Sequence, residues 1–366
     1  MVTKQTTTSK FGRTLNLLRD PDASFTAEAI YSLSDLDGAQ WDAFRAAWPD
    51  LSAERRRNLV LRLVETAETN FELDFSAIIH MALQDPDSEV RRSAVEGVLE
   101  DAAMNTIERV IQMALHDPFS DVRAAATRTL GLFVLRGELG KLPDYFNTRL
   151  QDAVLALYYD LHEDFDVRRR ALEAISNCGR EGVKDLIHEA YQSDDLPMRV
   201  SAVYAMGRSC DETWAKQILD ELSSDEPELR YEAARASGEL ELQKALPRLI
   251  ELAYDDDREI QEAAIWAMGE IGGSTARKVL NELAALADDA GDDELNDAIA
   301  EAQSMATLAG QDLLPLFDFG DLDEDDDDDD LGYDLLRDED EDEDEEEDYE
   351  EEDDEAWASD EEDYRF

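Results

Sequence analysis

The chain is poor in the residues that mark several protein classes. Its 366 residues include only two cysteines, Cys178 and Cys210, too few for a disulfide framework and without the spacing of a zinc knuckle. There are four histidines, His80, His116, His162 and His188, and seven lysines against 27 arginines. No uncharged apolar run approaches the ~18 residues that a membrane span needs, and the threonine-rich start, Met1 to Lys10, lacks the hydrophobic stretch of a secretory signal. A Gly-rich phosphate loop and a nucleophile elbow are missing too. These gaps predict a soluble protein of the reducing cytoplasm, with no membrane partner, no inferred small-molecule substrate, no catalytic motif and no cofactor site.

What the chain has in excess is acid: 92 Asp and Glu face 34 Lys and Arg, for a formal net charge of −58. The excess is uneven. From Asp318 to Phe366 there are 32 acidic residues and two basic ones, Arg337 and Arg365, so 49 residues carry −30 and the first 317 carry −28. Like charges at that density repel over a Debye length of ~8 Å, and few apolar side chains offset the entropy of ordering. The sequence thus predicts a collapsed body and an acidic, disordered tail over residues 321–366, joined by a linker or cap at 310–320. Tyr333, Leu335, Tyr349, Trp357 and Tyr364 interrupt the acid and are candidate anchors for basic, partly apolar partners. The same charge disfavours phosphate-backbone binding, which draws on Lys and Arg, so nucleic acid is an unlikely partner. Low lysine with high acid also fits a saline habitat.

The body repeats. Val90-Arg91-Arg92-Ser93-Ala94, Val122-Arg123-Ala124-Ala125-Ala126, Val167-Arg168-Arg169-Arg170-Ala171, Met198-Arg199-Val200-Ser201-Ala202, Leu229-Arg230-Tyr231-Glu232-Ala233 and Ile260-Gln261-Glu262-Ala263-Ala264 align without gaps. With the Arg (or Gln261) as position zero, the intervals are 32, 45, 31, 31 and 31 residues. Position −1 is apolar, +3 is always Ala, +7 is usually apolar, and +8 is Gly or Ser in Gly131, Ser176, Gly207, Gly238 and Gly269. Positions −1, +3, +4 and +7 form one helical stripe, and the Gly fits either a helix end or a close helix contact. An Asp- or Pro-rich turn precedes each such helix, and another amphipathic helix precedes the turn, as at Ile107 to Leu115 and Val183 to Tyr191. Each unit is a helix pair too small to cover its own apolar stripe, so neighbours must stack. The long interval places an insertion at Leu135 to Leu150, with Gly137, Gly140 and Pro143, which reads as a longer loop before an extended helix ending near Tyr159, a loop that changes curvature or binds a partner.

Asp in the turn, Val-Arg, Ala three on and an apolar–Gly pair resemble the HEAT repeat, in the short variety named after phycobilin lyases. The resemblance covers Leu73 to Ala309 and implies an all-α solenoid over residues 73–309, with degenerate repeats at 25–72 and a flexible segment at 1–24. It also implies that a turn Asp bonds the Arg six residues later, as Asp85 with Arg91 and Asp117 with Arg123. If +1 and +5 face inward, as in the family, the groove presents Arg92, Arg128, Arg169, Tyr204, Tyr231, Arg235 and Trp266, residue types enriched at interface hot spots, although aromatics there also serve as fillers between repeats. The expected role is a non-enzymatic scaffold with a basic protein partner. The alternative is a HEAT-like lyase or metal-dependent hydroxylase. His162-Glu163 and His188-Glu189 invite comparison with the iron-binding pairs of deoxyhypusine hydroxylase, but they fall at unlike repeat positions, −6 and −11, which opposes one shared metal.

Overall fold

The computed structural model describes residues 10–70, 72–98 and 103–309. The expected linker at 310–320 and acidic tail at 321–366 lie outside the described residues, as does the start of the N-terminal segment. The chain divides into a unit ending at Leu313 and a second from Leu314 onward, and every described residue belongs to the first.

Only helices and turns occur among the described residues. The first four are α1 (Lys10–Arg19), α2 (Ala27–Tyr31), α3 (Gly38–Ala47) and α4 (Ala53–Thr69). Seven hairpins follow: α5 (Ser76–Ala82) with α6 (Ser88–Glu96), α7 (Met104–His116) with α8 (Ser120–Glu138), α9 (Asp144–Tyr159) with α10 (Phe165–Ile175), α11 (Val183–Tyr191) with α12 (Leu196–Arg208), α13 (Ala215–Glu221) with α14 (Pro227–Glu239), α15 (Leu246–Leu252) with α16 (Arg258–Ile271), and α17 (Gly273–Ala290) with α18 (Asp293–Ala309).

From α4 to α18 the even-numbered helices pack directly on one another in series, whereas within the repeats only α7 and α9 of the odd-numbered helices meet in more than a marginal contact. Tight spacing in one layer and splay in the other curve the stack toward the even layer. The sequence pattern explains the tight layer. All six +3 alanines, Ala94, Ala126, Ala171, Ala202, Ala233 and Ala264, are fully buried. The +8 glycines are close contacts within helices: an added Cβ would lie 3.1 Å from Ala174 Cα at Gly131, 2.9 Å from Ala236 Cα at Gly207, 2.9 Å from Ala267 Cα at Gly238 and 2.8 Å from Ala302 Cα at Gly269. Each Gly of one repeat thus opposes an Ala backbone of the next, and a methyl group would force the helices apart.

Two expectations need correction. Residues 10–24 are not a flexible segment throughout, because α1 is helical and buries Leu15 and Leu18 against the first core residues; with no copy of the repeat in it, this helix carries no periodic signature. Residues 135–150 are not mainly a loop either. The insertion lengthens α8 and α9, which reach 19 and 16 residues, and leaves a short turn around Gly140 (φ 69°). Gly137 lies within α8, and Asn147 occupies the space where a side chain there would project.

The arginine ladder also differs in detail. Arg91 donates to the carbonyl of Asp85 (2.9 Å), not its carboxylate, and forks onto the carboxylate of Asp117 in the next repeat (2.8 and 2.9 Å). Arg123 repeats this, donating to the carbonyl of Asp117 (2.8 Å) and to Glu163 one repeat on (2.7 and 3.1 Å). The carboxylate of Asp85, only 3% exposed, accepts Trp48 Nε1 (2.7 Å) and Arg56 Nη2 (3.0 Å) from the preceding helices.

Candidate protein-binding groove

The even layer presents an inner face built from repeat positions +1, +2, +5 and +9, which successive turns of a helix place on one side. Its centre holds two adjoining hollows. Arg128 and Tyr204, both among the expected groove residues, line the first, of about 500 Å³, together with Glu68, Glu96 and Arg208. Arg169 and Tyr231 line the second, of about 520 Å³, with Arg170 and Glu232. Glu173 borders both. Farther along, the guanidinium of Arg235 sits 4.6 Å from the centroid of Trp266, a cation–π contact. The Trp266 ring also covers Gly238 of the preceding repeat, so it fills a gap between repeats as well as facing the groove. Arg92 lines neither hollow and pairs with Glu89 on its own helix (2.9 Å).

Positions +2 and +9 supply the groups that the +1 and +5 reading missed. Arg208 donates twice to Asn177 Oδ1 (3.2 and 3.1 Å) and lies 3.5 Å from Glu239, so Asn177, Arg208 and Glu239, all at +9, form a polar ladder across three repeats. Glu173, 7% exposed, accepts Arg170 and the hydroxyl of Ser201 (both 2.5 Å). Arg169 is held by Asp166 (2.5 Å). Glu232 has none of this. Burial, then the nearby Glu173 carboxylate, push its carboxyl up to about 7, with Arg235 only partly offsetting them. Burial likewise raises Glu239 against the opposing pull of Arg208 and Arg235, and raises the Tyr204 phenol.

The histidine–glutamate pairs have unrelated surroundings. Glu163 receives the Arg123 fork at the turn edge, while the ring of His188 stacks on Trp214 with centroids 6.5 Å apart. Among the described residues no group of three or more His, Cys, Asp and Glu is placed to hold a metal ion. Cys178 is buried and Cys210 exposed, both as free thiols. None of the described helices is long and apolar enough to cross a membrane.

Stacked helix pairs with buried +3 alanines define an α-solenoid, and residues 215–303 match the family model described as HEAT repeats. HEAT repeats are thus identified over residues 215–303. No curated protein matches it. Among solved structures it is similar to human deoxyhypusine hydroxylase in complex with glycerol (21% identity, 71% of this chain and 95% of that one, TM-score 0.32). It is also similar to the complex of CpcE and CpcF of phycocyanin lyase from Nostoc sp. (15%, 63% and 93%, 0.40) and to importin beta (13%, 81% and 44%, 0.39). Overlaps this loose say nothing of this chain's activity.

Proposed function

We propose that the chain is a non-enzymatic, cytoplasmic scaffold whose even-helix groove holds a partner protein while its acidic C-terminal segment recruits or shields basic surfaces. The observation that supports the groove is the pairing of Arg128 with Tyr204 and of Arg169 with Tyr231 in two contiguous hollows. Tyrosine and arginine bring large contact area and directional donors at low entropic cost, which is why they dominate interface energetics. The charge partition along the sequence supports the role of the acidic segment, since exposed charge of one sign acts on encounter and on salt dependence.

The test compares proteins retained by the native chain, by a Tyr204→Ala/Tyr231→Ala variant and by a chain ending at Ala309, at low and high salt. The groove variant should lose its principal partners, and the shortened chain should lose the salt-sensitive ones. An unchanged partner set for the groove variant removes the groove from the proposal, and one for the shortened chain removes the acidic segment.

A further inference from the structure

Resting on the reading that a partner occupies this groove, we propose that the stretch crossing α10, α12 and α14 docks a basic segment of that partner, an arginine or lysine side chain entering between Glu173 and Glu232 along the Tyr231 ring. The argument starts from which charges are already satisfied. Arg169 and Arg170 are committed to Asp166 and Glu173, and Arg208 to Asn177 and Glu239. Among the described residues no hydrogen bond or ion pair engages Glu232, and the charge that bears on it most is another carboxylate, Glu173, with Glu239 adding to it and Arg235 and Arg170 opposing them from a distance. Across the hollow α16 contributes Glu259 and no cation, while Arg235 on the same helix as Glu232 is drawn to Trp266.

Glu232 is therefore an acceptor without a donor of its own, in a hollow whose two arginines, Arg169 and Arg170, are held by Asp166 and Glu173 and whose remaining charges, Glu228, Asp257 and Glu259, are all acidic, beside the Tyr231 ring. An anion entering there would meet Glu173 and Glu232 at close range and be repelled. A guanidinium or ammonium would give Glu232 its missing partner, and its aliphatic stem would lie along Tyr231 and Val200, which line the same hollow. Binding of this kind has a proton signature. With Glu232 raised to about 7, a fraction of the molecules hold its proton at neutral pH, and an incoming cation expels it. Carboxylates in open water are already ionised at that pH and release nothing.

The probe is a fluorescein-labelled dodecapeptide of alternating arginine and leucine, titrated into the full chain at physiological salt. Glu232→Gln/Glu239→Gln should weaken its binding about tenfold relative to Glu54→Gln/Glu294→Gln, a pair of exposed glutamates away from the groove. Calorimetry at pH 7 in two buffers of different ionisation heat should show net proton release for the native chain and none for Glu232→Gln. Hydrogen exchange should slow in α12 and α14 when the peptide is bound. Equal affinities for the two double variants, absence of proton release, or protection nowhere in α12 and α14 would each overturn the proposal. The groove reading itself fails separately: if Tyr204→Ala/Tyr231→Ala abolishes native partner binding while the glutamate variants bind the peptide normally, the groove stands and its basic occupant does not.

Discussion

The two halves of the solenoid hold the same repeat in register by different means. From α4 to α10 the turns are pinned by charge: Arg56 to Asp85, Arg91 to Asp117 and Arg123 to Glu163, each reaching one repeat onward. From α10 to α16 that series weakens. Arg168 donates to the Tyr158 carbonyl, Arg199 finds only the Ser193 carbonyl at 3.5 Å, and Arg230, although it donates to the Ser224 carbonyl (3.0 Å) as Arg91 does to that of Asp85, makes only a long ion pair with Asp255 (3.6 Å). Here Gly207, Gly238 and Gly269 bring successive backbones into contact, and the spacing settles at 31 residues. Ion pairs tolerate uneven intervals of 32 and 45 residues because long arginines reach across them. Backbone contact fixes the register more closely, since a shift of one residue would replace glycine with a side chain, and Gly131 keeps such a contact with Ala174 (3.1 Å) across the 45-residue interval because the insertion lies outside the packed stretch.

The largest break in this comparison is at Asp85. Replacing it with Ala strands Arg56, 9% exposed, and the Trp48 indole without their acceptor, and removing one partner of a buried ion pair costs about 3–5 kcal/mol. Because each repeat is supported by its neighbours, hydrogen exchange should rise most in α4 to α6 and little beyond α12.

Next comes the contact-held half. Gly207→Ala gains helix propensity of up to ~1 kcal/mol but drives a methyl to 2.9 Å from the Ala236 Cα, so a net loss of about 2 kcal/mol is expected by urea denaturation. Gly38→Ala, where nothing lies within 4 Å, is the control and should be neutral or stabilising.

Of a different kind is the groove carboxyl, whose effect appears only as pH changes. Glu232 titrates near 7 in the folded chain against 4.5 as its ordinary value, so folding favours its protonated form. Its contribution is fully present below about pH 4.5 and is lost as pH rises through about 7. That amounts to about 3 kcal/mol between the two limits. Thermal melts of the native chain and of Glu232→Gln across this window should converge at low pH, with the native chain falling further as pH rises.

Much of the solenoid was legible because stacking demands recur at every repeat: Ala at +3 and an apolar residue at −1 are conditions of close helix packing, and they print a period. The ladder's true partner was less legible, because spacing alone does not distinguish the carbonyl of Asp85 from its carboxylate, and the second reach of Arg91 crosses 26 residues to Asp117. In the groove, positions +1 and +5 brought out Arg128, Arg169, Tyr204 and Tyr231, while Glu232 and Glu239 fall outside those positions, at +2 and +9. Their surroundings are set by side chains from α10 and α12, 24 or more residues away in sequence, and no local pattern records them. The alignment did hold a signal at +9, where Asn177, Arg208 and Glu239 form a donor–acceptor series one repeat apart.

The smallest expected effect is the sharpest test of the division. Arg91 and Arg199 occupy the same repeat position, yet Arg91 makes two bonds to a nearly buried carboxylate and Arg199 one marginal bond to a carbonyl. Methionine keeps the length and the apolar stem of either side chain, so substitution removes charge and hydrogen bonding while retaining packing. Arg91→Met should cost about 2 kcal/mol, since it also leaves Asp117 without its fork. Arg199→Met should cost no more than about 0.5 kcal/mol by the same denaturation measurement. Equal losses at the two sites would mean that arginine at this position stabilises the turn through its own repeat, and the distinction between a charge-pinned and a contact-pinned half would collapse.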